Sequence, residues 1–130
     1  MKTYKDIYVF PLKPANGGGW VFDQNGNFVF QFEAQFEGGN YAKGWKEFED
    51  KVLDCLNGKN HLKLTTESYF IHKEGQIFIK QEDNNKLIIT IRGWGNLTGI
   101  GSHNLSGEEA ANIQDTFAEF IVNKLNELKK

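Results

Sequence analysis

One cysteine, two prolines and a single arginine in 130 residues exclude several classes of protein at once. A lone Cys55 cannot form an internal disulfide, which fits a chain living in a reducing compartment. The apolar runs are short. None approaches the eighteen or so residues that a membrane span needs, and Met1–Leu12 has no apolar core of the kind a secretion signal carries. A cytoplasmic protein without a membrane partner is therefore expected. Charge of one sign is also missing: 15 basic residues face 17 acidic ones, for a net charge of −2. Residues 1–65 hold eight of each, and 66–130 hold seven basic and nine acidic. No basic excess is available to neutralise a phosphate backbone, so nucleic-acid binding is not expected.

Motifs with chemistry in them are equally scarce. His61, His72 and His103 are far apart, with no His-x-x-x-His, Cys-x-x-Cys or calcium-loop spacing, so no metal and no cofactor is expected. No Gly-Lys-Ser or Gly-Lys-Thr occurs. Gly95-Asn96-Leu97-Thr98-Gly99-Ile100-Gly101 imitates a dinucleotide fingerprint, but only one helix follows it before the chain ends, which is the wrong setting. Cys55 falls on the apolar stripe of a helix, where a thiol packs as a small hydrophobe. Glu33, Glu37, Glu47, Glu49 and Asp50 sit in a loop and on a helix and read as a solvated face. No catalytic constellation emerges, and the expectation is a protein that is not an enzyme.

What the chain does have is size, aromatics and clear periodicity. The length suits one domain over 1–130 with a core that needs no staples. Tyr4–Phe10 reads as an edge strand stopped by Pro11. Trp20-Val21-Phe22-Asp23, Gln24-Asn25-Gly26 and Asn27–Phe32 read as a hairpin, with Phe28, Phe30 and Phe32 alternating onto one face. Glu33–Tyr41 reads as a loop. Trp45, Phe48, Val52, Cys55 and Leu56 recur at helical spacing, with Asn57-Gly58 as the stop. Tyr69–His72, Gln76–Glu82 and Lys86–Arg92 form a meander, and the apolar run Leu87–Ile91 is its most protected strand. Ser106-Gly107-Glu108-Glu109 is a capping box that opens a second helix lined by Ala110, Ile113, Phe117, Ile121, Leu125 and Leu128.

The order β-β-β-α-β-β-β-α predicts an α+β fold of two layers, an antiparallel sheet of about six strands with both helices on one face. Superposing Leu56-Asn57 on Leu125-Asn126 brings Phe48 onto Phe117, Val52 onto Ile121 and Leu53 onto Val122. One unit used twice would produce that pattern, and so would any two amphipathic helices aligned over a few apolar positions.

Eighteen aromatic residues are more than one small core needs. Tyr4, Tyr8, Phe10, Trp20 and Tyr41 are the expected surplus, available for a protein partner or a homodimer contact. The other candidate surface is 92–104, where four glycines lie between the central strand and a capped helix. Arg92, Trp94, Thr98, Ser102 and His103 there supply a cationic fork, a stacking face and polar donors for a small anion or a partner. Trp94 decides between the uses of this segment: buried, it makes 92–104 a plain connection, and exposed beside Arg92 it makes a site.

The Trp20–Asn27 strand and turn, followed by a strand and a helix ending in Leu56-Asn57, resembles the small proteins of bacteriophages and integrated elements, over about the first 60 residues. That resemblance implies a genomic setting and no site. Two functions are then expected in turn: an accessory or inhibitor-type protein acting through protein contact, or a small-ligand or nucleotide-binding module built on 92–104.

Overall fold

The computed structural model describes residues 1–15, 19–59 and 68–127. Twelve elements follow in order: α1 (Tyr4–Ile7), β1 (Lys13–Pro14), β2 (Trp20–Phe22), β3 (Phe28–Phe32), β4 (Phe36–Glu37), β5 (Asn40–Tyr41), α2 (Trp45–Leu56), β6 (Tyr69–Glu74), β7 (Gln76–Gln81), β8 (Leu87–Ile91), α3 (Trp94–Thr98) and α4 (Gly107–Glu127). Six strands make one antiparallel sheet in the order β1-β2-β3-β8-β7-β6, and β4-β5 is a separate ribbon. The fold is α+β. The sheet order is symmetric about its middle, where the last strand of the first meander pairs with the last strand of the second.

Each half closes in the same way. Asn57, just past α2, receives the Leu12 N–H on Oδ1 (2.6 Å) and donates from Nδ2 to the Leu12 carbonyl (2.9 Å). Asn126, near the end of α4, does the same to Tyr69 at 2.9 and 3.4 Å. The two asparagines that the helix superposition aligned therefore hold the entry to the first strand of their own half. An amide suits this clamp because it offers a donor and an acceptor side by side to one residue's backbone.

Residues pointing toward the helices alternate across the sheet. Val21, Phe30, Ile91, Ile89 and Ile79 stand on one side in register, all buried. Phe30 meets Phe117 of α4 and Phe32 meets Trp45 of α2, at ring-centre distances of 6.1 and 6.4 Å. Burying side chains of this size contributes about 1.5–3 kcal/mol each. The opposite face carries the row Trp20, Gln31, Thr90, Phe78 and His72, read straight across β2, β3, β8, β7 and β6.

Three expectations are corrected. Tyr4–Phe10 is not an edge strand. Thr3 and Asp6 form a reciprocal capping box, with the Thr3 N–H on Asp6 Oδ2 at 2.8 Å, and the resulting single turn points Tyr4 at Phe117 and Phe120 of α4, 5.6 and 5.0 Å away. A helical cap and a helix to pack on override the strand preference of the aromatics. The outer strand on this side is instead the two-residue β1, blunted by Pro14. Second, Glu33–Tyr41 is not all loop, since Gly38 and Gly39, both at positive φ, turn the β4-β5 ribbon. Third, Phe28 leaves the row of Phe30 and Phe32. Val21 pairs with Phe30 but Phe22 pairs with Phe28, a slip past Val29 that sends Phe28 to the far face, against Phe22 and Trp20.

Candidate functional site

The crossing from β8 to α4 begins at Gly93, and glycine is required there. Its φ is +92°, and a Cβ would lie 2.0 Å from the Phe28 carbonyl oxygen. The backbone of the crossing thus presses on the β2-β3 hairpin more closely than any side chain permits. α3 follows as a single turn, with Thr98 Oγ1 donating to the Trp94 carbonyl at 2.9 Å. Leu97 is buried and anchors it. Ser106 Oγ accepts from the Glu109 N–H at 3.1 Å, the serine half of the expected capping box, and α4 starts there.

The five candidate residues divide into separate groups. Arg92 and Trp94 line one hollow of about 380 Å³ with Gln76, Ile77, Ile91 and Gln114. Trp94 is 46% exposed, and a Cβ placed on Gly107 at the start of α4 would lie 3.8 Å from its ring. Thr98 serves its own helical turn, and Ser102 donates its backbone N–H to the Gly99 carbonyl at 3.2 Å. His103 turns away from the hollow to Asn27, its Nε2 2.9 Å from Oδ1. The start of α4 is already capped by Ser106 and carries Glu108 and Glu109, whose charges oppose an anion there. Of the five, Arg92 and Trp94 border the same hollow, with the Arg92 guanidinium held by Gln31 and Gln76 on the sheet face away from the helices.

Arg92 is held from four directions. Its N–H donates to the Val29 carbonyl (3.0 Å) and its own carbonyl accepts from Gln114 Nε2 (3.1 Å). Its guanidinium donates from Nη1 to Gln76 Oε1 (3.0 Å) and from Nη2 to Gln31 Oε1 (3.2 Å). The sequence offered no signal for these three glutamines, because each is an isolated polar residue on an element whose register had to be known first.

A second polar cluster also escaped sequence reading. Asp23 is fully buried, yet satisfied: Oδ1 accepts the N–H groups of Asn25 and Asn27, and Oδ2 accepts from Val9 N–H and Asn27 Nδ2, all at 2.8–2.9 Å. Asn27 Oδ1 in turn takes Asn96 Nδ2 and faces His103 Nε2. The hairpin turn is thereby joined to the N-terminal segment and to the 92–104 crossing. The Tyr8 hydroxyl is buried without a partner, and burial, with the Asp23 charge adding to it, pushes its phenol well above the ordinary tyrosine value. Asp23 beside the Asn25-Gly26 turn was the available clue, since a short acidic side chain commonly ties such turns to itself.

The aromatic surplus sits partly where it was expected. Trp20 is 48% exposed, Phe36 62% and Tyr41 38%. Phe36 and Tyr41 stack at 5.1 Å on the β4-β5 ribbon, with the Lys46 ammonium over the Tyr41 ring at 5.4 Å. Trp20 lies over Phe28 on the sheet face away from the helices. Tyr4 and Tyr8, by contrast, are buried, and Phe10 packs against Tyr4 and Phe120. They belong to the core because α1 replaces the expected edge strand. Glu49 is corrected as well: it is 4% exposed, paired to Lys46 at 3.3 Å, with Oε2 unpartnered. Cys55 is half-buried at the core's margin.

Among the described residues no group of three or more His, Cys, Asp or Glu side chains is placed to hold a metal ion, and no helix is long and apolar enough to cross a membrane. His61 and Leu128 lie outside the described residues. No protein-family model matches the chain, and neither a curated protein nor a solved structure shows significant similarity to it.

Proposed function

We propose that the protein is a non-enzymatic accessory or inhibitor-type protein that acts by binding another protein. The observation that carries this reading is the set of aromatic side chains left outside a closed core. Trp20, Phe36 and Tyr41 are exposed although the space between sheet and helices is filled by Phe30, Phe32 and Phe117. Exposed aromatic clusters of this kind are enriched at protein interfaces, where a rigid ring buries a large area at small entropic cost. The resemblance of the first half to small phage and mobile-element proteins, and a cytoplasmic setting, accord with it.

The test is native mass spectrometry of the protein purified gently from its own host, beside a variant carrying Phe36→Ser and Tyr41→Ser. A stoichiometric second protein bound to the wild type and absent from the variant is expected. A second copy of the chain would move the reading to a homodimer, for which the six-residue edge strand β6 is the longer template. A bare monomer at every concentration overturns both.

One observation favours a second reading, a small-ligand or nucleotide-binding module on 92–104. Trp94 is exposed and borders a hollow that Arg92 also lines. A ligand present at one hundred times its dissociation constant raises stability by about 2.7 kcal/mol. A melting temperature that stays fixed across a panel of small anions and nucleotides overturns this reading.

A further inference from the structure

The two outer strands of the sheet differ in what their backbones leave unpaired. In an antiparallel ladder alternate residues turn N–H and C=O toward the neighbouring strand, and the residues between turn theirs outward. On β1 the Ala15 N–H donates to the Trp20 carbonyl at 2.8 Å and Lys13 stands opposite Phe22, so Leu12 and Pro14 face outward. Asn57 takes both groups of Leu12, and Pro14 has no N–H to give. That edge is closed. On β6 the Glu82 N–H donates to the Ser68 carbonyl at 2.9 Å, and the register that continues from Tyr69 opposite Gln81 turns Tyr69, Ile71 and Lys73 outward. Asn126 takes both groups of Tyr69. Ile71 and Lys73 keep theirs, two donors and two acceptors without a partner among the described residues. An edge lysine commonly keeps such a strand from pairing, but the Lys73 ammonium is neutralised by Asp115 at 2.7 Å.

The open groups are complementary to themselves. Two edges related by a two-fold axis, with Ile71 opposite Lys73 of the second copy and Lys73 opposite its Ile71, form four N–H to carbonyl bonds and leave no free group over. Placing Ile71 opposite Ile71 forms only two, and sets Lys73 against a Tyr69 that Asn126 already holds. The side chains agree with the first register, since opposite residues share a face. On the helix side the Lys73 stem covers the half-buried Ile71 of the other copy. On the far face Phe70 meets Glu74 of the other copy, and His72 meets its own symmetry mate.

We infer that the protein forms a two-fold homodimer by antiparallel pairing of its β6 edges, with Ile71 opposite Lys73 and His72 on the axis, so that two six-stranded sheets become one of twelve. The pairing uses no residue of the β4-β5 ribbon. It therefore goes beyond the partner-binding reading and gives the homodimer an interface.

Sedimentation equilibrium and cysteine cross-linking of the full chain test it. The wild type is expected to dimerise with rising concentration. Lys73→Pro removes an N–H that β7 does not use, a change an edge strand tolerates, and should weaken dimerisation at least about tenfold, the weight of the hydrogen bonds lost. Lys73→Ala loses the same ion pair and keeps the N–H, and should dimerise as the wild type does. Opposite Cα atoms in a pair without hydrogen bonds lie about 4.5 Å apart, within the range of about 4.4–6.8 Å that a disulfide spans. In a Cys55→Ala background, mild oxidation should then link His72→Cys into a dimer and leave Phe70→Cys and Ile71→Cys unlinked. A wild type that is monomeric at every concentration, a Lys73→Pro that dimerises as well as Lys73→Ala, or linking of Ile71→Cys in place of His72→Cys overturns the inference. A chain that captures a second protein without self-associating overturns it and leaves the partner-binding reading standing, and a His72-linked dimer that captures none does the reverse.

Discussion

In residues 1–59 the three sheet strands are two, three and five residues long; in 68–127 they are six, six and five. Both halves end in a helix and an asparagine clamp, and both insert a segment between the last strand and the helix. In the first half the insertion is the β4-β5 ribbon, whose ring pair faces solvent and whose ties to the sheet include Gln35 Nε2 on the Glu33 and Leu87 carbonyls. In the second it is the α3 crossing, pressed onto Phe28 and bonded to Asn27 through Asn96 and His103. The same topological position is thus used once as an outward-facing ribbon and once as a braced wall. The ribbon leaves Phe36 and Tyr41 exposed, whereas the crossing borders a hollow.

The largest expected effect separates the helices. Phe117 is fully buried and its counterpart Phe48 only partly, so Phe117→Ala should cost about 3–5 kcal/mol and Phe48→Ala about 1 kcal/mol in urea denaturation. Equal losses would overturn this contrast, by showing that α2 is as deeply seated as α4. The glycines that open the two helical crossings come next. Gly93→Ala meets both a positive φ and a carbonyl oxygen, for a loss of about 3 kcal/mol. Gly44 has a φ of +81° but open space around it, and Gly44→Ala should cost about 1 kcal/mol.

The clamps give a smaller and closer comparison. Asn57→Ala and Asn126→Ala each remove two side-chain bonds to backbone, about 1–3 kcal/mol, with Asn57 the more costly because its bonds are shorter. If Asn126→Ala proved neutral, the likeness of the two halves would be geometric only. The smallest effect concerns Tyr8. Its phenol is raised above the ordinary value of 10.0, so the stability due to its neutral form is complete below pH 10 and declines as the pH rises beyond it. Tyr8→Phe removes an unpartnered buried hydroxyl. It should leave neutral-pH stability within about 1 kcal/mol of the wild type and flatten the alkaline decline seen by circular dichroism.

Local signals explain which parts were legible from sequence. The Asn25-Gly26 turn, the apolar run of β8, the heptad-like stripes of α2 and α4 and the Ser106 cap each announce themselves within a few residues, and each stands where the spacing put it. α1 was misread because Tyr4, Ile7, Tyr8 and Phe10 carry strand preference while the decisive cap, Thr3 with Asp6, is short and its packing partner lies more than a hundred residues away. Asp23 and Asn27 could be placed in a turn but not joined to Asn96 and His103, which depends on tertiary approach. Of the five site residues, Arg92 and Trp94 border one hollow because a strand end fixes one and the next turn fixes the other. Thr98, Ser102 and His103 disperse because residues along a helical turn and its exit point in successive directions about 100° apart.

The pairing of β3 with β8 at the centre of the sheet has a kinetic consequence. Phe30 and Ile91 are partners, separated by about half the chain, whereas β6, β7 and β8 pair through short turns. Closing the long loop costs entropy that local hairpins do not incur. The meander of the second half should accordingly fold as the template, presenting β8 as an edge until the first half arrives. Until then, the most apolar strand of the molecule is open on one side, and the speed with which β3 docks determines how long the nascent protein is exposed to aggregation.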